Sequence, residues 1–444
     1  MGRVRQTPDD GDRLRNRYFN NQYFNRCGLD RTHPSPGPVY DGVHPIMFGL
    51  PFATFRVTIL TLALLAQIYL FLRARQAIRS SRRSDRFKSR AVGVAGATIC
   101  LLFAANLYIL FRPIPWADQP AAAQIVLFYP PTVWNLGSLF SALLLFLGQI
   151  IGFLARQTVH LARRLVGRSA PVPVDPGRRL LLQAGAGGLF AVPLLLAGYG
   201  ASHAGRRNDI QELTLPFGCP LRVVQLTDIH AGIFMNRRQM RYYIDKVIEL
   251  RPDLLVLTGD YISNSLSFLP GCMEEMVRVR TRYGTFATLG NHEHWYGSLI
   301  ELRAIFRRYG VPLLNNEHRI IRTDKGRFAV IGIDDLRTGE GNLEAALYGL
   351  DPAIPGLLLS HRPEIFPRAA ALGIPLTLSG HYHGGQIKLG LPGGGISLAN
   401  LRTQYVEGLF RIGAARLYVS RGIGTTFTPV RLNAPPEITL LHLT

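Results

Sequence analysis

The 444-residue sequence predicts an α/β domain of layered sheets flanked by helices, preceded by an all-α transmembrane region of about four helices. Three observations carry that prediction. Four apolar stretches crowd into the first half of the chain, each near the ~20 residues that cross a hydrocarbon core. From Leu221 onward the pattern changes to short apolar runs of strand length separated by amphipathic segments. Nearly every run then ends in Asp, Asn or His beside a turn, and α/β sheets gather ligands at the carboxyl ends of their strands.

Composition narrows the class. With 47% hydrophobic and 18% charged residues the chain is neither largely disordered nor a string of soluble domains. The net charge of +21 is uneven: residues 1–200 hold 23 basic and 8 acidic side chains, residues 201–444 hold 27 and 21. Arginines clustered between apolar runs mark membrane orientation rather than nucleic-acid binding. Four cysteines are too few for a disulfide scaffold and none forms a CxxC pair. Cys219 and Cys272 read as unpaired buried thiols, with a bridge between them as the alternative in an oxidising compartment.

Taken in order, residues 1–45 are Arg-rich and turn-prone and read as a disordered basic tail. The transmembrane region, 46–200, holds spans near 46–72, 91–111, 134–155 and 180–200. Arg56 in the first must snorkel, or the span begins at Val57. Residues 73–90 between the first two spans carry eight basic side chains, residues 112–122 carry one, and residues 156–179 carry six. The positive-inside rule therefore puts the first and third joints in the cytoplasm and everything after Gly200 on the extracytoplasmic side. Arg178-Arg179 before the last span reads equally as an internal twin-arginine signal or as a plain charge anchor. No acidic residue inside a span points to an ion path.

Residues 201–218 read as a linker and 219–444 as the soluble domain. Its predicted strands are LRVVQLT, DLLVLT, TFATL, RFAVIGI, GLLLS, PLTLS, RLYVS and EITLLHL. Met240, Tyr243, Ile244, Val247 and Ile248 form one apolar helical stripe that Pro252 ends. Ser298 and Glu301 stand at capping-box spacing before a helix closing at Gly310.

Five strand ends carry metal-ligand types: Thr227-Asp228-Ile229-His230, Thr258-Gly259-Asp260, Gly290-Asn291-His292-Glu293, Ser360-His361, and Ser379-Gly380-His381-Tyr382-His383-Gly384-Gly385-Gln386. Each alone is a common turn. In this order they resemble the calcineurin-like metallophosphoesterase family over about residues 219–444. The ending GHYHGGQ, and GDY where protein Ser/Thr phosphatases have GDxxDRG, look most like its bacterial membrane-associated or exported branch.

The resemblance implies an α-β-β-α metallophosphoesterase sandwich and a metal-dependent phosphoric ester hydrolase. It implies Asp228, His230 and His383 as ligands of one divalent ion, Asn291, His361 and His381 as ligands of the other, and Asp260 as the bridge. Carboxylate, amide and imidazole donors without thiolate suit Mn, Fe or Zn over copper or iron–sulfur centres. Two such ions, two carboxylates and a bridging hydroxide leave a formal charge of about +1, which fits an anionic phosphoryl group. Bringing the bound water from pKa about 15.7 to about 7 amounts to roughly 12 kcal/mol. One general acid supplies roughly 3 to 5 kcal/mol, so the metals rank first and His292 second.

His292 is then the residue that protonates the leaving oxygen or holds the phosphoryl group, with support of a ligand as its alternative role. Glu293 is expected to orient a ligand, and Gln386 to end the Gly-Gly turn in preference to meeting substrate. His294, Trp295 and Tyr296 read as a pocket wall or an exposed aromatic loop. Arg362 and Arg421 read as surface ion pairs ahead of phosphate contacts. Gly393-Gly394-Gly395 lacks the Lys-Ser/Thr of a P-loop and reads as a flexible loop.

The function expected is a membrane-anchored dimetal phosphoesterase acting by hydroxide attack on a phosphomonoester or phosphodiester. Anchoring favours a lipid or cell-envelope substrate, because it concentrates the enzyme with whatever shares its bilayer. A non-catalytic membrane scaffold or sensor is the main alternative, against which the full ligand set speaks. A nuclease or protein phosphatase is the other, and the missing Asp-Arg-Gly counts against the phosphatase. No specific nucleic-acid or protein partner is expected.

Overall fold

The computed structural model describes residues 46–47, 50–111, 121–165, 176–204, 209–391 and 394–444. The predicted basic tail, residues 1–45, and Gly393 of the predicted flexible loop lie outside them. Residues His44–Thr444 form one compact unit.

A short antiparallel pair, β1 (Ile46–Met47) and β2 (Leu50–Pro51), stands where the first span was expected to begin, and α1 starts only at Phe52. Four long helices follow: α1 (Phe52–Arg79), α2 (Asp85–Phe111), α3 (Ala121–Leu165) and α4 (Pro176–His203). Each contains a stretch long and apolar enough to cross a membrane: Val57–Arg79, Asp85–Tyr108, Ile125–Leu165 and Gly185–His203. α3 runs well past the expected 134–155 at both ends and continues through Pro130 and Pro131, because hydropathy marks the apolar core of a helix rather than its length.

Large apolar side chains such as Val94, Leu101, Ile151 and Leu195 point outward from these helices, as lipid-facing residues do. Polar contacts join them inside. Gln67 donates to Asn135 at 2.9 Å, Asn135 donates to Asn106 at 2.9 Å, and the Ser141 hydroxyl donates to the Phe190 carbonyl at 2.8 Å. Such bonds between different helices tie α1, α2, α3 and α4 to one another.

All eight predicted strands form: β4 (Leu221–Leu226), β5 (Leu254–Thr258), β6 (Thr285–Thr288), β8 (Gly326–Gly332), β9 (Gly356–Leu359), β10 (Leu376–Ser379), β14 (Ala415–Val419) and β15 (Glu437–Leu443). Three more lie at sheet edges: β3 (Asp209–Leu215), β7 (Glu317–Thr323) and β13 (Gly408–Ile412). A small hairpin, β11 (Leu389–Leu391) with β12 (Gly394–Ile396), completes the set. β3 corrects the linker expected at 201–218, since it pairs in parallel with β15 from Asp209 opposite Glu437 to Leu215 opposite Leu443. Its residues alternate between half-buried and exposed, so no continuous apolar run announces it.

One sheet has the order β3-β15-β4-β5-β6 and the other β13-β14-β10-β9-β8-β7. Alternation along each strand sends Val223, Val256, Phe328, Val330, Leu357 and Leu359 into the layer between the sheets. Their neighbours Val224, Leu226, Leu255 and Leu257 face outward against Met240, Tyr243, Ile244 and Val247 of α5 (Arg237–Glu249) and against α6 (Leu269–Met276). Ile248, the last residue of the expected stripe, is exposed instead. On the opposite face Ala329, Ile331 and Leu358 pack on α9 (Leu343–Leu347) and on Ala369 of α10 (Phe366–Ala371). The result is the predicted α-β-β-α sandwich. The Ser298 capping box forms at the start of α8 (Leu299–Arg308). Cys219 and Cys272 are both buried and free.

Candidate metal centre

β4, β5 and β6 run parallel in one sheet, as do β8, β9 and β10 in the other. Their carboxyl ends deliver Asp228, Asp260, Asn291, His361, His381 and His383 to one place. Five of the seven predicted ligands, Asp228, His230, Asp260, His381 and His383, have left-handed backbones, with φ between 49° and 75°. Such conformations cost about 1 to 3 kcal/mol each and persist where the surroundings dictate them. Part of that dictation is steric. A Cβ at Gly380 would strike Asp228 and Thr227, and one at Gly290 would strike Asp260. Glycine is required there for close approach of one turn to the next.

The donor atoms form two groups that share Asp260. In the first, His230 Nε2 and His383 Nε2 are 3.0 Å apart, and His383 Nε2 is 3.3 Å from Asp228 Oδ1. In the second, His361 Nε2 and His381 Nδ1 are 3.1 Å apart. Asp260 Oδ2 reaches both, at 3.6 Å from His230 and 3.3 Å from His361. Six of the seven residues are buried, and His381 is the one that reaches the surface. Asp228-His230-His383 and Asp260-His361-His381 each bring three donors close enough to share one cation. His230-Asp260-His292 does the same.

Neighbouring groups set the orientation of these donors. The Thr227 hydroxyl donates to Asp228 at 2.8 Å, as does the His381 backbone N–H at 3.0 Å. His361 Nδ1–H donates to the Thr258 carbonyl at 2.9 Å, which turns Nε2 toward Asp260. His292 Nδ1–H donates to the Ser263 carbonyl at 2.6 Å, leaving Nε2 as the nitrogen available to the centre. Its ring meets His230 edge-on at 4.5 Å and lies 4.6 Å from Trp295.

Electrostatics follow from burial of so many titratable groups together. Burial lowers His230 to about 3, helped by His292. Burial also raises the Asp260 carboxyl, but His361 and His292 outweigh it and hold the group well below the usual carboxylate range. Burial works against protonation of His361, yet Asp260 overrides it and raises the ring to about 10. Neutral His230, His381 and His383 rings keep lone pairs available to a cation, and the Asp260 carboxylate that favours protonation of His361 would favour a divalent ion in its place. Nitrogen and oxygen donors without thiolate therefore fit a divalent metal.

Some residues around the centre keep their expected roles and others take different ones. Glu293 holds backbone instead of a ligand side chain, accepting N–H bonds from Gly290 and Asp260 at 2.9 Å and from Tyr261 at 2.8 Å. Gln386 ties its turn to Thr426, accepting from its N–H at 2.9 Å and donating to its carbonyl at 3.1 Å. His294 pairs with Asp334 at 2.5 Å, whereas Trp295 and Tyr296 flank His292.

Arg362 is not a surface residue. It is 7% exposed, bonds Asp335 at 2.8 Å, and directs its other nitrogens to His381 Nε2 at 2.5 Å and Asn291 Oδ1 at 3.3 Å. Arg421 is also largely covered, pairing with Asp209 at 3.0 Å and Glu437 at 2.9 Å. Arg431 carries no motif that points to the site, yet it is buried, donates to the Gly424 and Ala434 carbonyls at 2.9 Å, and lies 3.2 Å from His383 Nδ1.

This fold with this site defines a metal-dependent phosphoric ester hydrolase. Residues 221–385 match the calcineurin-like phosphoesterase family. The chain is 29% identical over 241 residues to an uncharacterized metallophosphoesterase, YkuE, of Bacillus subtilis, a match covering 53% of this chain and 84% of that one. It is 29% identical over 227 residues to the phosphodiesterase YaeI of Escherichia coli, covering 50% of this chain and 82% of that one. It is also 34% identical over 240 residues to a bovine transmembrane protein with a metallophosphoesterase domain, covering 50% of this chain but only 53% of the relative.

Proposed function

We propose that this protein is a membrane-anchored dimetal phosphoesterase, with its catalytic domain on the extracytoplasmic side, that hydrolyses a phosphomonoester or phosphodiester of a lipid or other cell-envelope component. The observation that carries the dimetal reading is the position of Asp260 Oδ2 between the His230 and His361 nitrogens. Asp228, His230, His383 and Asp260 would hold one ion, and Asn291, His361, His381 and Asp260 the other. When bound, such a pair supplies Lewis-acid charge that activates water and offsets the charge of the phosphoryl group.

The chain's own residues do the rest. Thr227 and Thr258 fix the ligand orientations through the bonds they make to Asp228 and His361. Glu293 holds the Asp260 turn from beneath. His292, with Nδ1 committed to Ser263, offers Nε2 to a phosphoryl or leaving oxygen. Buried walls exclude bulk water and strengthen each of these contacts.

Topology is supported by two independent features. The Arg-rich joints, 73–90 and 156–179, belong on the cytoplasmic side. The opposite ends of the helices meet the catalytic domain: Tyr129 of α3 packs on Phe234, and Gly200 of α4 packs on Val430.

The test uses the full-length protein in detergent, reconstituted with Mn²⁺, on bis(p-nitrophenyl) phosphate and p-nitrophenyl phosphate. Metal-dependent turnover is expected, with two ions per chain by elemental analysis and loss of turnover in Asp260→Asn and His230→Gln. Unchanged turnover in both variants would sink the assignment. A C-terminal tag resistant to protease in spheroplasts would overturn the orientation alone.

A further inference from the structure

Between Lys388 and Arg402 the chain runs LGLPGGGISLANL, residues 389–401, without one charged side chain. Four of its large apolar residues, Leu389, Ile396, Leu398 and Leu401, are 55% to 83% exposed. Regular pairing gathers them into two small faces. Leu389 stands directly opposite Ile396 in the β11–β12 hairpin, and residues opposite one another in an antiparallel pair point to the same side. Leu398 and Leu401 open and close a 3-10 turn, in which side chains three apart eclipse. Single exposed leucines are ordinary on a protein surface, whereas a cluster in an uncharged segment marks a contact surface.

Its place in the fold identifies what it contacts. α4 ends against the segment that precedes β15: a Cβ at Gly200 would come within 2.6 Å of Val430 and 3.1 Å of Leu432. Leu432 in turn pairs with the strand that enters the hairpin, donating its N–H to the Gln386 carbonyl at 2.9 Å and accepting from the Lys388 N–H at 3.0 Å. The Asn433 side chain donates to the Lys388 carbonyl at 2.9 Å. Gly200 lies near the end of the apolar stretch Gly185–His203, so the base of the hairpin is tied to the point where that helix leaves its apolar run. The segment also borders the metal centre. Gly385, two residues after the expected ligand His383, lies so close to Ser397 that a Cβ there would strike it.

We propose that Leu389, Ile396, Leu398 and Leu401 insert into the interface of the bilayer that α4 crosses, giving the catalytic domain a second lipid contact beside its metal centre. The inference rests on the membrane-anchored reading above and holds for either orientation, because the hairpin stays beside the same end of α4. An uncharged segment enters the interface without stripping an ion of its water, and each apolar side chain gains by leaving water. The contact costs little to form, since the helix already holds the hairpin next to the membrane. Through Ser397 and Gly385 the same contact fixes the approach of the His383 turn to the lipid surface.

Single cysteines carrying the fluorophore NBD test this on the full chain, in a Cys27→Ser, Cys100→Ser background reconstituted into phosphatidylcholine–phosphatidylglycerol vesicles. Leu389→Cys, Leu398→Cys and Leu401→Cys report the segment. Leu195→Cys, on the outer face of α4, reports the span, and Tyr348→Cys, exposed at the end of α9, reports the aqueous surface. With iodide on both sides of the membrane, the three segment probes are expected to be reached by it about threefold less than the Tyr348 probe, and to be quenched about threefold more by doxyl-labelled lipid. In the unmodified protein, a hydrophobic diazirine dissolved in the bilayer is expected to label the peptide holding residues 389–401.

Segment probes as open to iodide as Tyr348 and spared by doxyl lipid, with the Leu195 probe quenched, overturn the proposal and leave the anchor standing. Protection from iodide without doxyl quenching places a second copy or another protein on the leucines and overturns it too. A Leu195 probe spared by doxyl lipid overturns the membrane-anchored reading first. If one cysteine variant does not fold, the remaining positions and the photolabel still decide.

Discussion

Arg362 offers the sharpest quantitative test of the centre. Its guanidinium is bound on one side to Asp335 at 2.8 Å and on the other to His381 and Asn291, two expected ligands of one ion. Truncation in Arg362→Ala strands a buried carboxylate, which costs about 3 to 5 kcal/mol when nothing else compensates. Here something does: Asp335 Oδ1 keeps the backbone N–H groups of Arg337 and Thr338 and the Thr338 hydroxyl. The loss therefore falls at the low end, about 3 kcal/mol, or roughly 6 to 12 °C in Tm for a domain of this size. Loss of the groups that orient metal ligands typically weakens metal affinity about 10- to 100-fold. The two effects separate in a double variant. Arg362→Ala with Asp335→Asn removes the stranded charge and recovers most of the melting temperature, while the metal defect persists. Arg362→Lys keeps charge but not the planar fork, so it falls between. Thermal melts and Mn²⁺ titration by calorimetry read the two quantities. A melting point within 2 °C of wild type together with full metal content in Arg362→Ala would refute the reasoning.

Three further outcomes are expected. Chelation abolishes hydrolysis, and restoring Mn²⁺ raises the melting point with concentration, by about 2.7 kcal/mol of stability at a hundredfold excess over Kd, a response lost in Asp260→Asn. Gly380→Ala drives a methyl into Asp228 and Thr227, and overpacking of about 1 to 3 kcal/mol should appear in melts alongside loss of turnover. Burial alone would raise the Glu275 carboxyl, but hydrogen bonds from Arg241, Arg237 and Arg278 outweigh it and bring it down to about 2. A folded value below the unfolded one adds stability that is present above the unfolded pKa of about 4.3 and lost as pH falls toward 2. Glu275→Gln should thus lower stability at pH 7 by about 1 to 2 kcal/mol, given the half-exposed arginines, with the gap to wild type closing in that acid window.

How legible each strand is depends on the charge it carries, which β3, β7 and β13 have at the sheet edges and the edge strand β6 lacks. β5, β9 and β10 are buried throughout, β4 nearly so and β8 after its first two residues, and all five read as mainly apolar runs. β3, β7 and β13 lie at edges, where one row of backbone groups and alternate side chains meet solvent. Their sequences, DIQELTL, EHRIIRT and GLFRI, carry the charge that protects an edge from pairing with another chain and that also hides it from a hydropathy reading. β3 was consequently absorbed into an expected linker. The same logic applies to the helices, whose apolar cores were legible while the long ends of α3 were not.

At the site the candidate ligand types are legible because each closes a strand, and the chain has a sixth such end beyond the five that carry them. RFAVIGI is followed at once by Asp334-Asp335, and both carboxylates turn inward, one to His294 and one to Arg362. That strand end is the signal for Asp335 and, through it, for the buried setting of Arg362. Arg431 had no comparable signal. Its partners are carbonyls of the turn that follows β14 and a ring 48 positions earlier, so only the folded chain brings them together. The strained backbones were equally hidden, since Asp and His do not announce φ above zero. Only the adjacent glycines, Gly259, Gly290 and Gly380, hinted that the turns are too tight for side chains. In this fold the sequence marks which side chains gather at the strand ends, whereas the strain and the buried arginines that hold them in place exist only in three dimensions.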